Sequence, residues 1–156
     1  MIVLSELAEL LALSGEWTGT SSLWLDPAGP ADVSQSIAEV STILKQRFVR
    51  FDYAWAADKE HQEGSLVIGF HSKRKMVHAV WLDTWHVGDG WLVFQGTVEG
   101  GVVNVYGQYE VGKGPDWRWR ITIDPKDKES FKMLMYNITP WGKEGLAVDA
   151  AYTRVR

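Results

Sequence analysis

After a short opening segment, runs of about ten residues rich in β-branched and aromatic side chains alternate with turn-forming clusters at nearly even intervals. Ten such runs can be drawn, at 15–26, 33–44, 47–57, 63–71, 76–85, 91–99, 102–111, 116–124, 129–138 and 145–155. The clearest breaks are Asp26-Pro27-Ala28-Gly29-Pro30, Gly88-Asp89-Gly90, Glu99-Gly100-Gly101, Gly112-Lys113-Gly114-Pro115, Asp124-Pro125-Lys126-Asp127 and Pro140-Trp141-Gly142. Glycine, proline, asparagine and aspartate supply the backbone angles that reverse a chain. The pattern predicts an all-β, ten-stranded antiparallel barrel. The break at Lys45-Gln46 is the weakest, because neither residue readily takes a positive φ.

The opening segment is different. Leu4, Leu7 and Leu11 recur at helical spacing, Ser5 can cap the first turn and Gly15 follows as a stop, which predicts a short helix over 5–13 ahead of a barrel over 15–155. No linker or repeat divides the 156 residues, so one domain over 1–156 is expected. Sixteen basic against 20 acidic side chains leave a formal charge of −4, which offers no electrostatic footprint for nucleic acid. With no cysteine, disulfides, thiol catalysis and thiolate-bound metal are excluded. Residues 1–13 lack a basic leader and carry Glu6 and Glu9 among their apolar residues, so a cytoplasmic protein without a membrane span is expected.

Alternation sorts the side chains of each run into an inner and an outer face. Over 47–57, Val49, Phe51, Tyr53 and Trp55 share the face assigned to the interior. Leu66, Ile68, Phe70, Val77, Ala79 and Trp81 do so in the next hairpin, if Ser72–Lys75 form its turn. Trp117 and Trp119 oppose Arg118 and Arg120, which read as a solvated outer face. Nine tryptophans are many for such a chain, and in a ten-stranded barrel they either line a cavity or plug the bore.

Gly15-Glu16-Trp17-Thr18-Gly19 resembles the G-x-W opening of the calycin group, to which lipocalins belong. Tyr152-Thr153-Arg154, Gly69-Phe70-His71 and Trp81-Leu82-Asp83 extend the likeness to a bacterial lipocalin-like family of unknown function, distantly related to nitrobindin and fatty-acid-binding proteins. Such relatives carry aspartate after the Gly-Phe pair, where this chain has His71. The resemblance implies that Trp17 packs at the closed end of the barrel. It also implies that Arg154 lies across Trp17 while donating to carbonyls of the preceding segment, a role suited to a planar guanidinium.

The candidates for chemistry are few. His71 and His78 are possible diagonal neighbours, but no third metal ligand accompanies them, and His86 is about 26 Å further along a straight strand than His78. All four histidines read as surface residues, and no metal is expected. Haem, which nitrobindin holds through a late histidine, is disfavoured because none follows His86. Asp83 shares the inner face with Trp81 and Trp85. Against indole rings its charged form should be disfavoured, as in tuned acids and bases. Alternatively it accepts hydrogen bonds from amides of the following turn or from an indole.

The function expected from this pattern is binding of a small apolar or aromatic molecule in the barrel interior. Phe51, Tyr53, Trp55, Trp81, Trp119, Met135 and Tyr152 would surround it, and Asp83 would orient a polar group. The alternatives are an enzyme using Asp83 as acid or base, and a non-catalytic interaction module with a filled barrel. In the latter, outward Met76, Val80 and Leu82 form an apolar strip on the fifth strand suited to a homodimer.

Overall fold

The computed structural model describes residues 5–156. Ten strands, β1 (Gly15–Leu23), β2 (Asp32–Ile43), β3 (Phe48–Ala57), β4 (Glu60–His71), β5 (Met76–Asp83), β6 (Leu92–Glu99), β7 (Val102–Tyr109), β8 (Trp117–Pro125), β9 (Ser130–Ile138) and β10 (Glu144–Arg154), form a closed barrel. Each strand pairs antiparallel with its sequence neighbours, and β1 closes the ring on β10 with Trp17 opposite Arg154. The expected fold class is therefore the observed one. Alternation decides the faces: over β3 the residues on one side, Val49 to Ala57, are all buried while their neighbours are half-exposed.

The opening segment differs from the expectation in detail. A 3-10 turn at Ser5–Leu7 runs into a single α-helical turn, α1 (Ala8–Leu11). The helix cap is Leu7 and no side chain hydrogen-bonds there, whereas the expected cap, Ser5, has its side chain outside what the structure describes. The residues driven into the barrel are Leu7, Leu10 and Leu13, with Leu11 only partly buried, and Leu4 lies outside the described residues. A 3-10 turn repeats every three residues and so rotates the apolar face away from strict helical spacing.

This segment seals one end. Trp17 donates its indole N–H to the Leu13 carbonyl at 2.8 Å, and the Arg154 guanidinium lies 4.5 Å from the Trp17 ring centroid. Arg154 also donates to the carbonyls of Ser14 (2.7 Å), Ala12 (3.0 Å) and Lys128 (2.7 and 2.9 Å). One planar cation thus satisfies acceptors on two chain segments while covering an aromatic face. Beneath it, Trp17, Phe51 and Tyr152 pack around Phe131, with ring centroids 4.8, 5.6 and 4.9 Å from it.

The opposite end carries the loops β1–β2, β3–β4, β5–β6, β7–β8 and β9–β10. Trp17 alone stands at the sealed end, and the other eight tryptophans lie towards the open one. Of these eight only Trp55, Trp81 and Trp119 are buried, and they fill rather than line the bore: the interior cavity measures only about 10 Å³. That is space for about one water molecule. Among the described residues no helix is long and apolar enough to cross a membrane.

Candidate functional site

Asp83 ends β5 at the open end, and the following turn is wound around it. Its main-chain carbonyl accepts the N–H groups of Val87 and Gly88 at 3.0 and 3.1 Å. One carboxylate oxygen, Oδ1, accepts the N–H of Trp85 (2.9 Å) and of His86 (2.8 Å), and contacts His86 Nδ1 at 3.1 Å. The other oxygen accepts the Tyr53 hydroxyl at 2.7 Å, and that hydroxyl accepts the Trp81 indole N–H at 2.8 Å.

Glycine makes the Tyr53 contact possible. Gly64 stands between Tyr53 and Asp83 in the register of β3, β4 and β5, and a Cβ there would lie 2.2 Å from the phenol ring. The ring therefore folds across the bare backbone of β4 to reach a carboxylate two strands away.

These contacts reverse the electrostatic expectation. Burial raises the pKa of Asp83, but hydrogen bonding to the His86 ring, the His86 charge, the His86 N–H and the Tyr53 hydroxyl outweigh it and hold the carboxyl below its ordinary value. Asp83 is thus an ionised orienting group and not a proton reservoir near neutrality. Tyr53 is pushed well above its ordinary value by burial and by the Asp83 charge, so it stays a donor.

His86 is the residue that strand alternation missed. It was expected on the surface, yet its side chain is only 9% exposed and its ring is packed among four indoles. Ring centroids lie at 4.7 Å (Trp85), 5.3 Å (Trp119), 5.4 Å (Trp81) and 5.6 Å (Trp55). Because the ionised Asp83 only accepts, Nδ1 carries the proton it shares, which leaves Nε2 as the ring nitrogen not engaged by Asp83. That Nε2 is buried without a hydrogen-bond partner among the described residues, as is the indole Nε1 of Trp119. The signal available in the sequence was Asp83-Thr84-Trp85-His86 immediately after a strand, an aspartate three residues before a histidine in a turn.

The remaining expected site residues are all buried, but they separate into two groups. Tyr53, Trp55, Trp81, Asp83 and Trp119 gather around His86 at the open end. Phe51 belongs to the sealed-end stack with Trp17. Met135 and Tyr152 line the small cavity between the groups, along with Met133, Ser21 and His86. Tyr152 donates to Ser36 Oγ at 2.7 Å, because Ser36 spends its own proton on the Ala54 carbonyl at 2.8 Å. Burial raises its pKa to about 12. His61 is exposed, and His71 and His78 lie on the outer face with ring centroids 5.8 Å apart.

Arg120, expected as a solvated residue, is instead the centre of an outer-wall network. It forms a double contact with Glu144 at 2.8 and 2.9 Å, donates to Asn104 and Thr122, and lies 3.9 Å from the Tyr136 ring centroid. Arg118 makes no such network and lies over Tyr106.

The chain matches the family described as protein of unknown function (DUF1579) over residues 4–154. It belongs to this family. No curated protein matches it. Among solved structures, Rv2717c from M. tuberculosis is similar over 99% of this chain and 100% of its own, at 13% identity and a TM-score of 0.64. At that identity the likeness concerns the fold. A protein of unknown function from the DUF3598 family of Nostoc punctiforme aligns over 98% of this chain and 100% of its own, at 8% identity and a TM-score of 0.26, too low to inform either fold or function.

Proposed function

We propose that the protein binds a small, flat, largely apolar molecule at the open end of the barrel, anchored on His86. The observation that carries this reading is the buried, unpartnered His86 Nε2, fixed in orientation by Asp83 and surrounded by indoles. A buried polar atom left unsatisfied costs about 1–3 kcal/mol, so such groups are rare unless something else engages them. The opening and closing motifs that resemble calycins support the same reading, since fatty-acid-binding proteins and nitrobindin hold their ligands inside barrels of this kind.

The packed bore restricts the guest. A cavity of about 10 Å³ admits neither a long acyl chain nor a porphyrin in this conformation, so the guest is placed at the open end, beside the β5–β6 turn that carries His86. A phenol or naphthol suits the groups present: its hydroxyl, able to donate or accept, meets His86 Nε2, and its rings pack against the indoles around the imidazole. Asp83 acts here by orienting the imidazole. Any acid–base chemistry at this end would pass through His86 and not through Asp83.

Titration of the protein with 2-naphthol, followed by intrinsic tryptophan fluorescence, tests the proposal. Saturable quenching at micromolar ligand, lost in His86→Leu, is the expected result. Quenching that is absent, or unchanged in His86→Leu, would refute the anchor.

A further inference from the structure

A second concavity lies on the outside of the barrel, over β3 to β8, with a volume of about 720 Å³. It falls within the ~300–1,000 Å³ typical of small-molecule sites. Its floor follows from the sequence. Gly69 faces outward, and a Cβ there would lie within 2.6–2.9 Å of the Phe48 and His78 rings, which close over the bare backbone as a stacked pair 6.1 Å apart. Register then lines up Val67, Val80 and Val93 across β4, β5 and β6 as an apolar row. Val80 and Val93 remain 38% and 64% exposed, unusual for adjacent valines facing water.

The charges of the concavity are all of one sign. Arg74 and Arg118 line it, no carboxylate does, and neither guanidinium has an ion pair among the described residues. By contrast Arg50, Arg120 and Arg154 all have acidic partners. Arg118 is held over the Tyr106 ring at 5.0 Å from its centroid, which leaves its N–H edge for an acceptor. Another hollow, of about 790 Å³, is the reverse: Glu16, Glu39, Asp52, Glu63, Asp83 and Asp89 line it, without any cation. The net acidic character of the chain is therefore excluded from the β3–β8 concavity in particular.

We propose that this outer concavity is a binding site for an amphipathic anion, a carboxylate or sulfonate carried on a flat aromatic body. The body lies along Val67, Val80 and Val93, and the anionic group meets Arg118 and Arg74. Burial and the neighbouring His71 lower the pKa of His78, so its ring adds polar contact and the positive charge that meets the anion comes from Arg74 and Arg118. The site is separate from the His86 end and does not depend on it.

The test uses two fluorescent probes of similar shape, 1-anilinonaphthalene-8-sulfonate and the uncharged N-phenyl-1-naphthylamine. The sulfonate should bind saturably, and Arg74→Gln with Arg118→Gln should weaken it by about tenfold or more, the scale of one lost charge-assisted contact. Val93→Asp should abolish its binding, and His86→Leu should leave it unchanged. Circular dichroism confirms the fold of each variant, His86→Leu included; Arg74, Arg118 and Val93 are solvent-facing. Equal affinity of His86→Leu for the two probes, indifference to the arginine substitutions, or loss of sulfonate binding in His86→Leu would each overturn the assignment. Sedimentation velocity covers the remaining occupant: a dimer dispersed by Val93→Asp would assign the valine row to a second copy of the chain and overturn the anion site.

Discussion

Replacing Asp83 by asparagine asks whether the turn over the barrel mouth is held by charge. The wild-type carboxylate accepts the main-chain N–H groups of Trp85 and His86, the His86 ring and the Tyr53 hydroxyl. Asparagine keeps the shape, and its carbonyl oxygen can occupy the position of Oδ1. Its amino group then faces Tyr53, whose oxygen already accepts from Trp81, and the phenolic proton loses its acceptor. A buried O–H without a partner costs about 1–3 kcal/mol, and weakening the other bonds by removing the charge adds about 1 kcal/mol. Relief of the carboxylate's desolvation offsets part of this, so a net loss of about 2–3 kcal/mol is expected. For a chain of this size that corresponds to a fall in Tm of roughly 5–10 °C.

The pH dependence follows from the depressed pKa of Asp83. A carboxylate more acidic when folded contributes stability that is fully present above the unfolded value, about 3.9, and is lost as pH falls through the folded one. Urea unfolding at pH 7, 5 and 3, followed by tryptophan emission, should therefore show a constant gap between wild type and variant at the two higher values and a narrower one at pH 3. A gap below about 0.5 kcal/mol at pH 7, or one that widens on acidification, would refute the charge-held turn.

Two further substitutions probe the scaffold. Gly64→Ala places a methyl group where the Tyr53 ring lies and should destabilise by about 1–3 kcal/mol through overpacking, measured by thermal unfolding; wild-type stability would show that the ring does not cross β4. Arg154→Met keeps the aliphatic stem but orphans carbonyls of Ala12, Ser14 and Lys128, a loss of about 2–3 kcal/mol. Hydrogen exchange should then report lost protection at the Ala12 and Leu13 amides, and unchanged protection there would refute the role of Arg154 as the clasp of the sealed end.

Strand order and inner faces were legible because a period of two, repeated ten times, leaves little freedom once the ring closes. Turns without glycine were less so. The chain reverses through Asp58-Lys59 with φ of 48° and 67°, and through Leu44, Lys45 and Gln46 with φ of 52°, 62° and 60°, conformations that carry no compositional mark. Leaving Asp58-Lys59 unrecognised put the start of the fourth run at 63 when β4 begins at Glu60. The same limit hid His86: strand parity ends at Asp83, and beyond it the side-chain direction is set by which amides the carboxylate gathers. The sign of the Asp83 shift was illegible for that reason too, since burial was visible in the pattern and the compensating donors were not.

A filled bore does not explain the groups that fill it. Closing the far end of a ten-stranded barrel needs bulk, because the helical turn and Arg154 seal only the other end, and leucine or phenylalanine would supply that bulk without any polar atom. The chain instead places an imidazole and a ring of indoles there. It spends the Tyr53 and Asp83 hydrogen bonds on fixing that imidazole, and leaves His86 Nε2 and Trp119 Nε1 buried and unpaired. Packing alone gives these two nitrogens no partner among the described residues, whereas a guest of the proposed kind offers its hydroxyl to the imidazole. Closure alone therefore leaves the choice of an imidazole at the mouth unexplained, and the proposed binding supplies a reason for it.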